Sequence, residues 1–132
     1  MKIERINPAT LHAPVDNLYT HIVRAEGRYV YRIGGQVAIG LQCENLGKGD
    51  MREQLRVVYE MATRALKAVN LTWDNVIHIY TFTTDMDEYM KYEKPIAMAA
   101  FGDHPPASTL VEVRRLVDPD WLVEIQLDAV GD

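Results

Sequence analysis

With one cysteine, Cys43, among 132 residues, the chain has no internal disulfide framework, and a lone thiol fits a reducing compartment. Long apolar runs are missing as well. No stretch approaches the roughly 20 residues that span a bilayer, which excludes a membrane-spanning helix. The opening MKIERINPATLHAP lacks the apolar centre of a secretory signal, so a cytoplasmic location is expected. Positive charge is scarce: fourteen Lys and Arg stand against nineteen Asp and Glu, for a net charge of −5. That balance disfavours nucleic acid as a partner, because phosphate binding needs clustered cations. The histidines, His12, His21, His78 and His104, show no HxH or HxxxH spacing, so neither a metal nor another cofactor is expected. Repeats, low-complexity tracts and linker composition are absent too, and residues 1–132 are expected to form one domain.

What is present is a clear alternation of periods. Lys2 to Asn7 reads as an edge strand ended by Pro8, followed by a loop over residues 9–18 with Asp16-Asn17 as turn residues. Tyr19 to Ala25 and Arg28 to Ile33 read as two strands of a hairpin around Glu26-Gly27, and Gln36 to Leu41 continues extended. Asp50 to Val69 carries a helical stripe of Met51, Leu55, Val58, Ala62, Leu66 and Val69. Asp50 and Glu53 form a capping pattern at its start, and Asn70 is a left-handed stop. Asn75 to Thr84 is a strand apolar on both faces. Asp85 and Glu88 repeat the capping pattern for a second helix running to about Phe101, stopped at Gly102 and kinked or broken near Lys94 by Pro95. The last strand, Trp121 to Val130, sets Glu124, Gln126 and Asp128 against Val123, Ile125, Leu127 and Ala129. Two amphipathic helices and about six strands predict an α+β fold with the helices on one sheet face. The other face is too rich in Val, Ile and Tyr for a freely solvated sheet and is expected to meet another subunit.

The stretch His104 to Leu116, HPPASTLVEVRRL, opens with the rigid Pro105-Pro106 and continues as a β-branched strand from Ala107 to Val113. Period two puts Ser108, Leu110 and Glu112 on one face and Thr109, Val111 and Val113 on the other. The β-branched set suits a face packed on helices; the mixed set suits solvent or a cleft.

This stretch resembles the signature of the Rid family of reactive intermediate deaminases (the YjgF family, formerly L-PSP endoribonucleases), whose pattern is close to PARSTVEVARL. Pro106, Ala107, Val111, Glu112, Val113, Arg115 and Leu116 match it, and Ser108 stands where the family has an arginine. Tyr19, Val23, Gly35 and Gln36 match the family stretches PYSQAV and SGQI, with Gly34 in place of the family serine. The resemblance implies a chorismate-mutase-like fold, with a six-stranded, mainly antiparallel sheet and two helices on one face. It further implies a homotrimer with a small-molecule cleft between each pair of subunits.

In such a cleft the family arginine pairs with the carboxylate of a 2-imino acid or its enamine. A water held by a last-strand glutamate then attacks the imine carbon, and ammonia leaves. Carried over residue by residue, the catalytic positions are Tyr19 and Gln126, the latter replacing the glutamate. The substrate-binding positions are Tyr19, Gly34, Ser108, Leu110 and Glu112, with Glu93 or Lys94 at the helix asparagine. Gln126 can hold a water but cannot take its proton, and Ser108 cannot neutralise a carboxylate. The expected function is therefore metabolite binding in the clefts with 2-imino acid deamination altered or lost. The alternative is an active imine or enamine deaminase whose cation has moved, with Arg32 as the candidate because it shares a face with Gly34 if the strand runs straight. Arg32 could equally pair with Glu112 or Glu124, or reach solvent. Glu112 and Glu124 could form an acid–base pair or bond nearby arginines, and His21, on the face of Tyr19, is either a pH-sensitive base or a structural histidine. The older ribonuclease label is opposed by the net acidity.

Overall fold

A computed structural model describes residues 1–132. Six strands divide between two sheets. β1 (Lys2–Ile6) and β2 (Ile22–Glu26) pair antiparallel, with Glu4 opposite Arg24 and an ion pair of 2.5 Å between them. β3 (Tyr29–Gln36), β4 (Val76–Thr83), β5 (Ala107–Glu112) and β6 (Val123–Gly131) form the second sheet in the order β3-β6-β4-β5. β6 runs antiparallel to both its neighbours, whereas β4 and β5 are parallel. A parallel pair needs a crossover, and the helical segment between residues 84 and 106 provides it.

The hairpin expected from Glu26-Gly27 does not form. β2 takes β1 as its partner, and β3 takes β6. Gly27 explains the redirection: it sits against the end of β6, where an added Cβ would come 2.7 Å from the Val130 side chain. The chain passes close over β6 instead of folding back on β2. The extended run expected to Leu41 is also shorter; β3 ends at Gln36, and beyond it only an isolated bridge joins Ile39 to Asn45.

The first helix, α1 (Met51–Ala68), is capped as its sequence predicts. Asp50 accepts a hydrogen bond from the Glu53 N–H, and Asn70 adopts φ +60 just past the end. Its stripe of Met51, Leu55, Val58, Ala62 and Leu66 packs on Ile79 of β4 and on Val123, Ile125, Leu127 and Ala129 of β6. Val69, the last member of the predicted stripe, lies past the helix and is 39% exposed.

The second helix is two. α2 (Met86–Met90) begins at its Asp85 cap, and α3 (Glu93–Phe101) restarts after Lys91-Tyr92. The break falls ahead of the predicted Lys94 because Pro95 occupies the first turn of α3, where a missing N–H costs no helical bond.

All three helices cover one face of the four-stranded sheet. The opposite face presents Arg32, His78, Tyr80, Phe82, Thr109 and Val111, with Glu124, Gln126 and Asp128 of β6 among them. Thr109 and Val111 therefore point away from the helices, the reverse of the expectation from β-branching, while Ser108, Leu110 and Glu112 point toward them, with Ser108 and Leu110 lining a cleft as one of the two settings expected of that mixed face. The cause is α2 and its flanks: the Glu112 carboxylate accepts the Met86 N–H at 2.9 Å, and Leu110 packs against the core. Side-chain branching reports strand propensity, whereas this face was chosen by what packs over it.

Candidate functional site

The break between α2 and α3 leaves a cavity of about 230 Å³ at the β5 edge of the sheet. Its polar wall is Asp16, Tyr19, Glu93 and Ser108; its apolar wall is Val15, Leu18, Met90 and Leu110. Four of the residues singled out in the sequence, Tyr19, Glu93, Ser108 and Leu110, thus converge from three separate segments.

Each segment is held by specific bonds. Thr20 ties the Tyr19 segment to the start of β5, donating its N–H to the Pro106 carbonyl at 3.0 Å and its hydroxyl to the Pro105 carbonyl at 2.6 Å. The preceding turn carries Asp16 and Asn17 at φ +53 and +54, a left-handed geometry that Asp and Asn tolerate better than other side chains. Glu93 is the first residue of α3, so the helix restart directs it into the cavity. Lys94 does not line the cavity; its ammonium lies 3.6 Å from the Asp16 carboxylate.

Tyr19 is further organised by His12 and His21. The Tyr19 hydroxyl oxygen accepts the Val15 N–H at 3.3 Å and lies 2.9 Å from His12 Nε2. His21 Nε2 lies 2.7 Å from the His12 carbonyl, an acceptor only, so His21 carries its proton on Nε2 and orders the loop. Its imidazole packs edge-on against both His12 and Tyr19.

Burial pushes the Glu93 carboxyl above its ordinary range, the Tyr89 hydroxyl pulls it back, and nearby Asp16 adds to the rise. A raised folded-state pKa means that folding favours the protonated acid. This contribution is fully present below the ordinary value of 4.5 and is lost as pH rises through the folded value. Glu93→Gln, which cannot ionise, is expected to raise the melting temperature at neutral pH and to leave it nearly unchanged near pH 4.5. Thermal scans of both proteins across pH check this; an equal shift at every pH would contradict it.

The remaining predicted residues lie elsewhere. Gln126 is on the open face of β6, opposite Tyr80 in register, and so across the sheet from Ser108. Arg32 is on that same open face, 81% exposed, with its guanidinium 3.6 Å from Asp128 rather than paired with Glu112 or Glu124. The shared face of Arg32 and Gly34 assumed a straight strand, and β3 changes register between Ile33 and Gln36. Glu112 and Glu124 are not a pair: Glu112 holds the start of α2, and Glu124 folds over Gly35, where a Cβ would collide with its carboxylate. Burial raises the pKa of Glu124. Gly34 has open space above its Cα.

Asp16, Val15, Leu18 and Met90 were not singled out for the site. Asp16 carries a turn signal in the sequence and Met90 a helix signal, and neither signal says which cavity the residue faces. A larger groove of about 540 Å³ lies between α1 and α3, lined by Tyr59, Trp73, Tyr92 and Ile96, and none of the predicted site residues reaches it.

This α+β architecture, with a pocket where the HPPASTLVEVRRL strand meets a broken helix, defines a family. The chain belongs to the family described as Endoribonuclease L-PSP, whose pattern matches residues 10–131. A RutC family protein of Pyrococcus horikoshii is 32% identical over 108 residues, 82% of each chain. A second RutC family protein, from Sulfurisphaera tokodaii, is 32% identical over 93 residues, 70% of this chain and 73% of its own. Among solved structures, the Rid family protein YyfB of Yersinia pestis superposes with a TM-score of 0.90 at 25% identity, covering 98% of this chain and 99% of its own. A putative endoribonuclease of Thermotoga maritima gives a TM-score of 0.71 at 28% identity, over 86% and 87% of the two chains. No helix is long and apolar enough to cross a membrane.

Proposed function

We propose that this chain is a cytoplasmic, homotrimeric Rid-family protein that binds a small metabolite between subunits, with 2-imino acid deamination altered or lost. The observation that carries this reading is Ser108: it lies in the cavity wall at the family's arginine position, and no Lys or Arg lines that cavity to replace it. A guanidinium holds a carboxylate by two parallel charge-assisted bonds, and a hydroxyl cannot.

Assembly is supported by the two sides of the sheet. Ser108 and Gln126 lie on opposite faces of one chain, so only the open face of a second copy can bring a Gln126 to a Tyr19–Ser108 cavity. That open face also leaves apolar side chains uncovered, with Val30 65% and Val111 39% exposed.

One observation favours a second reading, an active imine or enamine deaminase. Arg32 projects from the face that would meet a neighbour, and its Asp128 contact of 3.6 Å is loose enough to be exchanged. A ribonuclease reading rests on the family description alone, and the net charge of −5 opposes it.

The test is ammonia release from freshly generated 2-iminopropanoate and 2-iminobutanoate. It uses protein whose native mass is three times the 15.0 kDa of one chain. No acceleration over buffer is the expected result. Acceleration by the natural protein that is lost in Arg32→Ala would establish the second reading instead.

A further inference from the structure

The walls of the Tyr19–Ser108 cavity specify a charge that differs from the family's 2-imino acid. We infer that this cavity takes a small ligand with a protonated nitrogen and an apolar body and no carboxylate, such as an alkylammonium or iminium ion. The inference rests on the reading above, that this cavity is the ligand site.

Three features carry it. The first is size: about 230 Å³ lies below the ~300 Å³ at which drug-sized pockets begin, so the occupant is small. The second is the apolar wall, where Leu18, Met90 and Leu110 offer surface to a short hydrocarbon body. The third is charge. Apart from the Tyr19 phenol, the only ionisable side chains in the lining are the carboxyls of Asp16 and Glu93. Asp16 is partly neutralised by Lys94 at 3.6 Å, while Glu93 has no cation within ion-pair distance.

A carboxylate entering this space would meet two carboxyls and no guanidinium from the chain that forms the cavity, and like charges at close range are strongly disfavoured. An ammonium or iminium N–H meets acceptors instead: the Glu93 carboxylate and the Ser108 hydroxyl. Burial has already made the ionised form of Glu93 costly, and a cation beside it would lower its pKa again. The site is therefore short of one positive charge, which the ligand supplies.

The experiment is calorimetric titration of the intact assembly with matched four-carbon probes, butylammonium, butanoate and butan-1-ol, at about pH 7.5, where a free carboxyl is ionised. Butylammonium is expected to bind at least about tenfold more tightly than butanoate. Glu93→Gln is expected to weaken butylammonium by about tenfold while leaving butan-1-ol unchanged. Ser108→Arg is expected to reverse the preference toward butanoate, which keeps the test independent of how Glu93→Gln folds. Butanoate binding as well as butylammonium would overturn the inference while leaving the cavity a ligand site. A butylammonium preference insensitive to both variants would place the cation elsewhere and overturn the inference as well. Failure of all three probes to bind would remove the site reading and the inference together.

Discussion

Replacing Gln54 by leucine will lower the unfolding free energy by about 2–4 kcal/mol, as expected when two part-buried backbone groups lose their partners at about 1–3 kcal/mol each. Gln54 is a polar residue in the apolar stripe of α1, and it is 1% exposed. Its side-chain amide donates to the Gly47 carbonyl at 3.1 Å and to the Asp120 carbonyl at 2.9 Å, and its oxygen accepts the Leu122 N–H at 2.9 Å. Both loops that flank the helix face, residues 37–49 and 113–122, are thereby tied to α1. Leucine keeps the volume and the apolar contacts but leaves the Asp120 carbonyl and the Leu122 N–H unpaired, while the Gly47 carbonyl keeps only its bond from the Asp50 N–H. Gln54→Glu separates the contributions, since it keeps the acceptor for Leu122 and loses both donors, and its loss should exceed that of leucine at neutral pH because it also buries a charge. Denaturant unfolding of the variants measures the effect, and faster amide exchange at Leu122 in Gln54→Leu locates it. A loss below 1 kcal/mol would mean that water enters and replaces the bonds.

The second large effect concerns activity. Ser108→Arg alone is expected to bring carboxylate binding without turnover, because the residue proposed to hold the water is still the neutral Gln126. Gln126→Glu alone is expected to bring a base without a substrate clamp. The double variant should hydrolyse 2-iminobutanoate about 10²–10⁴-fold faster than either single variant, the range that a positioned general base contributes. The non-additivity is the informative part. Ser108 and Gln126 lie on opposite sheet faces, so they cooperate only if Gln126 comes from a neighbouring subunit. Mixing the two single variants and allowing subunits to exchange should therefore recover part of the double variant's rate. Recovery of none, with a fast double variant, would place both residues at one cleft edge within a single chain.

The parts of this fold legible in the sequence were those decided locally. α1 is bounded by Asp50 and Asn70 because a cap and a left-handed stop act within a few residues. β4, β5 and β6 lie where their alternation places them. The misreadings concern choices made at long range. Glu26-Gly27 has the composition of a hairpin turn, yet strand pairing depended on β1 and β6, which lie far along the chain in either direction. Pro95 signalled a helix break, but whether proline ends one helix or opens the next depends on where the new helix packs. The inward face of β5 was set by α2 over Glu112 and Leu110, not by the branching of Thr109 and Val111. At the candidate site, Tyr19, Ser108 and Leu110 could be picked out through motif resemblance, whereas Asp16 depended on a positive φ that its sequence only permits.

Thr20 bridges the two walls of the cavity with bonds to Pro105 and Pro106, 85 residues away in the chain for the first of these. This has a consequence for the order of events during synthesis. β1, β2, β3 and α1 have all been synthesised before residues 105–110 are translated, and helices form far faster than translation proceeds. The Tyr19 segment must therefore wait, unanchored, for the second wall to arrive. The candidate site is among the last parts of the molecule to exist, and a ligand for it would act as a sensor of finished chains and offer no help to unfinished ones.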